Sequence, residues 1–144
     1  MPVIERRLRI LILIYLWGAL VEDTALVFMA WLSPETWFQS FHHALPASFD
    51  IALLRRAAGQ WAAFALAQAI ALACWKKRPI WLAIVAGVRF SDLFTDIVYV
   101  LTVPSLTPFG WACLLPPPVL NLVGVIIMLR GYRQFTALRT EPRA

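Results

Sequence analysis

Arg89, Asp92 and Asp96 stand at i, i+3 and i+7 inside the otherwise apolar stretch 79–103, and helical spacing puts all three on one face. Ionisable groups at hydrocarbon depth are rare, and by default they mark a functional or pairing site. Glu22 and Asp23 interrupt an earlier apolar run, while Gln60, Gln68 and Asn121 interrupt two others. A helix rises ~1.5 Å per residue, which allows depth to be compared between runs. Glu22, Asp92, Arg89 and Asn121 come out at similar depth, with Asp96 further along, toward Gln60 and Arg56. Glu22, Asp23, Gln60, Gln68, Arg89, Asp92, Asp96 and Asn121 are therefore expected to line one polar interior.

Four carboxylates then face one guanidinium, that of Arg89, with Arg55 and Arg56 available near the rim. In low dielectric this imbalance is resolved by protonation, by ion pairs to Arg55 or Arg56, or by a bound cation. Such a set can carry protons, hold an amine or supply an acid. A plainer arrangement is equally open. Arg89 and Asp92 can neutralise each other along the helix, and Asp96 can meet Arg56. Asn121 can satisfy backbone groups freed by Pro116-Pro117-Pro118. Glu22 and Asp23 point about 100° apart on a helix, so both need partners, one of them in a neighbouring subunit if not within the chain.

Other chemistries find little support. His42-His43 is the single histidine site; adjacent helical histidines diverge, and no histidine elsewhere can ligate a haem from the opposite side. Both are expected to be exposed at a membrane interface. Cys74 and Cys113 are too few and too far apart for a disulfide scaffold or zinc site, and read as buried apolar residues. There is no glycine-rich phosphate loop, Ser–His–Asp set or Cys-x-x-Cys. No catalytic residue, metal ligand or cofactor is assigned.

The elements that must position these residues are membrane helices. Of 144 residues, 61% are hydrophobic and 15% charged, against roughly 45–50% and about 25% in globular chains. This composition describes one integral membrane domain. Its fold class is all-α, with four transmembrane helices expected over 8–32, 51–75, 79–103 and 112–130 and a short interfacial segment over 34–43. The first run is too long for a signal peptide, contains Glu22 and Asp23, and is followed by no cleavage site. In the second, Gly59, Ala63, Ala67 and Ala71 recur every fourth position, a seam for close helix packing. The prolines at 116–118 are expected to kink or unwind the start of the fourth helix.

The net charge of +5 lies in short basic clusters between apolar runs, which fits topology signals and anionic headgroups rather than nucleic acid. With four spans, the amino tail, Lys76-Lys77-Arg78 and the carboxyl tail with Arg139 and Arg143 share one side, leaving Arg55 and Arg56 opposite. The positive-inside rule then makes both termini cytoplasmic. Trp31, Trp37, Trp61 and Trp111 form an outer belt, with Trp75 and Trp81 at the inner interface. Compactness and the lack of sorting signals favour a bacterial inner membrane.

With a terminal helix reading Leu114-Leu115-Pro116 to Met128-Leu129-Arg130, the chain resembles small four-helix membrane proteins of two kinds. One is the DoxX-like group, which implies partnership with a larger membrane oxidoreductase. The other is the sterol-isomerase and sigma-2-receptor superfamily, which implies intramembrane acids that hold cationic or amine-like ligands. The helix-borne catalytic histidine of the sterol isomerases is not evident here.

The leading expectation is a non-enzymatic membrane protein acting by association, as accessory subunit of a larger complex or as a homo-oligomer. The alternative is a carrier or receptor for a small cation, amine or lipid-like ligand bound by midplane carboxylates. A lipid isomerase ranks third. Expected partners are the lipid bilayer and a membrane protein or second copy, not nucleic acid.

Overall fold

A computed structural model describes residues 5–140, with side chains through residue 137; the described chain is helical and contains no strand. Its helices are α1 (Arg6–Leu32), α2 (Pro34–His42), α3 (Ser48–Cys74), α4 (Ile80–Thr102), α5 (Pro108–Leu114) and α6 (Pro116–Thr140). Three stretches are long and apolar enough to cross a membrane: Arg6–Leu32, Ser48–Cys74, and Pro108–Ala137 taken through the bend at Leu115. They mark a membrane protein. With 23 residues, α4 is also of spanning length. It differs from the others in the three charges at its middle.

The long helices pack side by side, α1 on α3, α3 on α4, α4 on α6 and α6 on α1. Two short helices, α2 and α5, meet each other across one end, and the turn 75–79 closes the other. At the turn end, Ile12, Leu16, Leu82, Val85, Ala71 and Met128 are all fully buried, and Trp75 meets Phe135 edge-on at 5.5 Å. At the capped end, Trp37 stacks on Phe41 at 4.6 Å and tilts against Trp61 at 5.4 Å, over Ala30, Leu54 and Ala58. The polar residues lie between these two apolar layers.

Local chemistry explains the breaks. Pro34 opens α2 and Pro108 opens α5, where a missing N–H costs nothing. His43 ends α2 in the left-handed region at φ 52°. The Asp50 carboxylate accepts from the Ala47 N–H at 2.9 Å, half of a capping box at the start of α3. Thr107 Oγ1 accepts from the Gly110 N–H at 2.8 Å and donates to the Ser40 carbonyl at 2.5 Å, while the Thr107 N–H reaches the Phe41 carbonyl at 2.9 Å. One threonine thus caps α5 and ties it to α2.

Several expectations change. The kink expected at Pro116-Pro117-Pro118 takes the form of a full break just before them, and the prolines fill the first turn of α6, where amide donors have no intrahelical acceptor anyway. The preceding bend at Leu115 makes α5 a separate helix. The fourth long helix runs well past residue 130, because Phe135 packs on Trp75 and anchors the extension. Trp75 is a core residue with 1% exposure rather than an interfacial anchor. Of the α3 seam, only Ala71 is buried; Gly59 and Ala63 are exposed, and Ala58 and Ala65 form the inner contacts. The tail residue Arg143 and the side chain of Arg139 lie outside the described residues.

The α2–α5 contact gives a direct test. A Cβ at Gly110 would sit 2.5 Å from the Phe41 carbonyl oxygen, a backbone atom, whereas one at Gly87 meets nothing within 4 Å. Gly110→Ala should therefore lower stability by ~1–3 kcal/mol through overpacking. Gly87→Ala should leave it unchanged or raise it by up to about 1 kcal/mol. Thermal unfolding in detergent micelles reads both.

Candidate functional site

Five of the expected residues meet at a single centre. The Arg89 guanidinium, from the middle of α4, donates through Nη2 to Asp23 Oδ2 on α1. Through Nη1 it donates to Asp92 Oδ2 at 3.1 Å, one turn along its own helix, and to Asn121 Oδ1 on α6 at 3.3 Å. Gln68 on α3 donates to the same Asp23 oxygen at 2.7 Å. Asn121 Nδ2 donates to Asp96 Oδ2 at 2.8 Å and to Asp92 Oδ2 at 3.3 Å. One guanidinium therefore links all four long helices, directly or through one partner.

These groups are removed from solvent. Exposure is 0% for Gln68, 1% for Asp23, 2% for Arg89, 3% for Asn121 and 6% for Asp92, so the charges are compensated by one another and not by water. The Arg89 guanidinium carbon also lies 5.9 Å from the Phe64 ring centroid. Within this network two buried polar atoms keep no protein partner, Arg89 Nε and Gln68 Oε1.

The remaining expected residues divide. Glu22, one position from Asp23, turns away from the network and is exposed, yet it lines the same cavity. Asp96 is half-buried, bonds to Asn121 and also lines the cavity. Gln60 is not in the polar interior; it lies exposed on the outer face of α3, eight residues and about 80° round the helix from Gln68. Arg56 is likewise exposed and makes no ion pair with Asp96, whose partner is Asn121. Arg55 engages through its backbone carbonyl, which accepts from Trp31 Nε1 at 3.1 Å. Asn121 bridges side chains; its amide serves Arg89, Asp92 and Asp96 and not proline-freed backbone.

Beside the network lies a cavity of about 890 Å³. Tyr15, Glu22, Asp23, Arg89, Asp92, Asp96 and Asn121 line its polar side; Trp37, Phe38, Phe41 and Trp61 close it beneath the α2–α5 cap. A space of this size suits a small organic molecule, and its mostly apolar wall with a few convergent polar groups is the usual composition of a ligand pocket. Among the described residues, no three His, Cys, Asp or Glu side chains converge closely enough to hold a metal ion.

The aromatic wall escaped the sequence reading, although part of it was within reach. Tyr99 continues the Arg89, Asp92, Asp96 face at i+10, and Tyr15 lies two helical turns below Glu22 and Asp23. His42 is also corrected. It is buried at 8% exposure, and its Nδ1–H donates to the Ser105 carbonyl at 3.3 Å. Its other ring nitrogen, Nε2, is hydrogen-bonded to the Tyr99 hydroxyl at 2.6 Å. The histidine joins the cap to the cavity wall, while His43 is exposed.

Removing one partner of a buried ion pair leaves an uncompensated charge, at a cost of about 3–5 kcal/mol. Asp23→Asn should fall in that range, because Asp23 is the interhelical acceptor for both Arg89 and Gln68. Asp92→Asn should cost less, because Arg89 keeps Asp23. Thermal unfolding of the two variants under identical detergent conditions checks the order, and the reverse order would contradict this assignment.

No family model, curated protein or solved structure matches this chain, so its chemistry is to be read from its own side chains.

Proposed function

We propose that this is a four-span protein of a bacterial inner membrane, both termini cytoplasmic, that binds a small cation or amine-bearing lipid-like molecule as a carrier or receptor. The observation that carries the reading is the 890 Å³ cavity whose polar wall holds more carboxylates than its one guanidinium can neutralise. Arg89 is engaged by Asp23 and Asp92. Asp96 meets only the neutral Asn121, and Glu22 forms no ion pair among the described residues. A ligand cation would supply the missing charge, and the surrounding tryptophan and phenylalanine rings suit an ammonium group with an apolar body. The same space would equally serve a carrier that releases its ligand or a receptor that reports it.

Support for α4 as the fourth span is its length and its position between α3 and α6, both long and apolar, with Arg89 and Asp92 turned to protein. The basic residues support the orientation, since Lys76, Lys77 and Arg78 sit at the turn end, with Arg6, Arg7 and Arg9 at the start of α1.

Dodecylammonium is a suitable probe. In detergent it should raise the melting temperature of the wild-type protein, by mass action on the folded state. Asp96→Asn and Glu22→Gln should each abolish most of that shift without loss of fold, since neither carboxylate pairs with Arg89. An equal shift in wild type and in both variants would sink the reading.

A second reading, association with another copy or a membrane partner, is favoured by the outward half of the α3 seam. Gly59 and Ala63 are exposed there, and a Cβ at Gly59 meets nothing within 4 Å. If the seam receives another helix, Ala63→Leu should convert a crosslinkable oligomer to monomer in lipid nanodiscs. A wild-type protein that is already monomeric in the membrane would dismiss this reading.

A further inference from the structure

We propose that the occupant of the cavity is a membrane-dissolved, single-chain cationic amphiphile whose chain leaves sideways into the bilayer through a window between α1 and α6. This rests on the ligand-binding reading above and adds where the ligand comes from and how it lies.

The turn end of the cavity is closed, and the α2–α5 cap covers most of the other, with half-exposed Asp50 and exposed Leu53 at its α3 edge. Toward the turn, a Cβ at Gly124 would overlap the Tyr15 ring and one at Gly131 would meet Ile12 Cδ1 at 2.7 Å, so α6 and α1 touch closely there. Beyond them lies a fully buried apolar layer. At the other end, α2 and α5 are joined by the Thr107 hydrogen bonds and sealed by Trp37 and Phe41, each 4% exposed. Entry through the turn end, or between α2 and α5, would require breaking packed structure.

The side is different. On α1, Gly18, Glu22 and Ala25 recur at helical spacing, and all three both line the cavity and are exposed. Facing them, Cys113, Pro117 and Leu120 form a matching stripe across α5 and α6; all line the cavity, with Cys113 and Leu120 exposed and Pro117 half-exposed. Above the Tyr15–Gly124 contact, no hydrogen bond or ion pair joins α1 to α6 among the described residues. Gly18 leaves the gap open, because a Cβ there meets nothing within 4 Å.

The window therefore carries its own polar marker, Glu22 at its edge, with Asp96 and the partly unpartnered Arg89 deeper inside. An ammonium group would be drawn to Glu22 and Asp96, which line the same cavity. Its alkyl chain would run past Gly18 and Leu120 into hydrocarbon, where apolar surface at a portal needs no protein cover.

The test uses the full chain in phosphatidylcholine nanodiscs, with dodecylammonium and ethylammonium as probes and the melting shift as readout. Gly18→Phe puts a ring into the window, and Gly87→Phe puts the same ring on an exposed part of α4 away from the cavity. Expected is a shift with dodecylammonium and none with ethylammonium at the same concentration. The apparent affinity should be about tenfold weaker in Gly18→Phe, the effect of overfilling an occupied site, and unchanged in Gly87→Phe. In a Cys74→Ala background, dodecylammonium should also slow the alkylation of Cys113 by N-ethylmaleimide. If dodecylammonium binds equally to wild type and Gly18→Phe and leaves Cys113 unprotected, the window is wrong and the ligand-binding reading survives. If ethylammonium binds as well as dodecylammonium, the ligand class is wrong. If neither amine binds wild type, this inference fails together with the reading beneath it.

Discussion

The rest of the structure depends on keeping the Arg89 guanidinium out of water. Transferring such an ion to a low-dielectric interior carries an effective penalty of several kcal/mol, met only by close counter-charges and well-formed hydrogen bonds. The partners have to come from several directions, because a planar guanidinium projects five donors in a fixed fork. Asp23 arrives from α1, Asn121 from α6 and Asp92 from α4 itself, with Gln68 of α3 steadying Asp23. Moving any one long helix by a few ångströms would strand part of this set. The ion network thereby specifies which helices are neighbours and in what register, a role for which apolar packing alone is poorly suited.

Two apolar layers frame that centre. The layer at the turn end is dense, and glycines at 124 and 131 let α6 approach Tyr15 and Ile12. At the capped end, aromatic rings stack beneath α2 and α5. The rings leave a space beside the network instead of filling it, since Trp37, Phe38 and Trp61 form its roof. A dense base, an aromatic roof and an acidic wall surround one space, the arrangement on which the proposed binding role rests. Glu22, Asp23, Asp50, Asp92 and Asp96 all border that space.

The chemical asymmetry of the wall is its most informative property. Asp23 and Asp92 are committed to Arg89, whereas Asp96 and Glu22 form no ion pair among the described residues. Structural glue would satisfy all of its members, as buried polar networks generally do. That one-sided set beside the cavity is what motivates the proposed cationic ligand.

By itself the sequence determined the helical class, the membrane character and the approximate ends of three long helices, because apolar runs of ~20 residues and bounding prolines act locally. It also determined that Arg89, Asp92 and Asp96 share a face, since one-helix geometry is a matter of counting. Depth counting put Glu22, Asp92, Arg89 and Asn121 at similar depth, and in the structure Arg89 bonds to Asp92 and Asn121 while Glu22 turns away from them. What counting along separate helices lacks is their rotation about their own axes. Gln60 and Arg56 were assigned inward and lie outward, and Gly59 and Ala63 point away from the partner that Ala58 and Ala65 meet. The tertiary structure alone decided those rotations, together with the cavity, its aromatic roof and the bond between His42 and Tyr99, residues 57 positions apart. Such pairings arise from packing between distant segments, and no local pattern of residues encodes which face of one helix will be turned toward another.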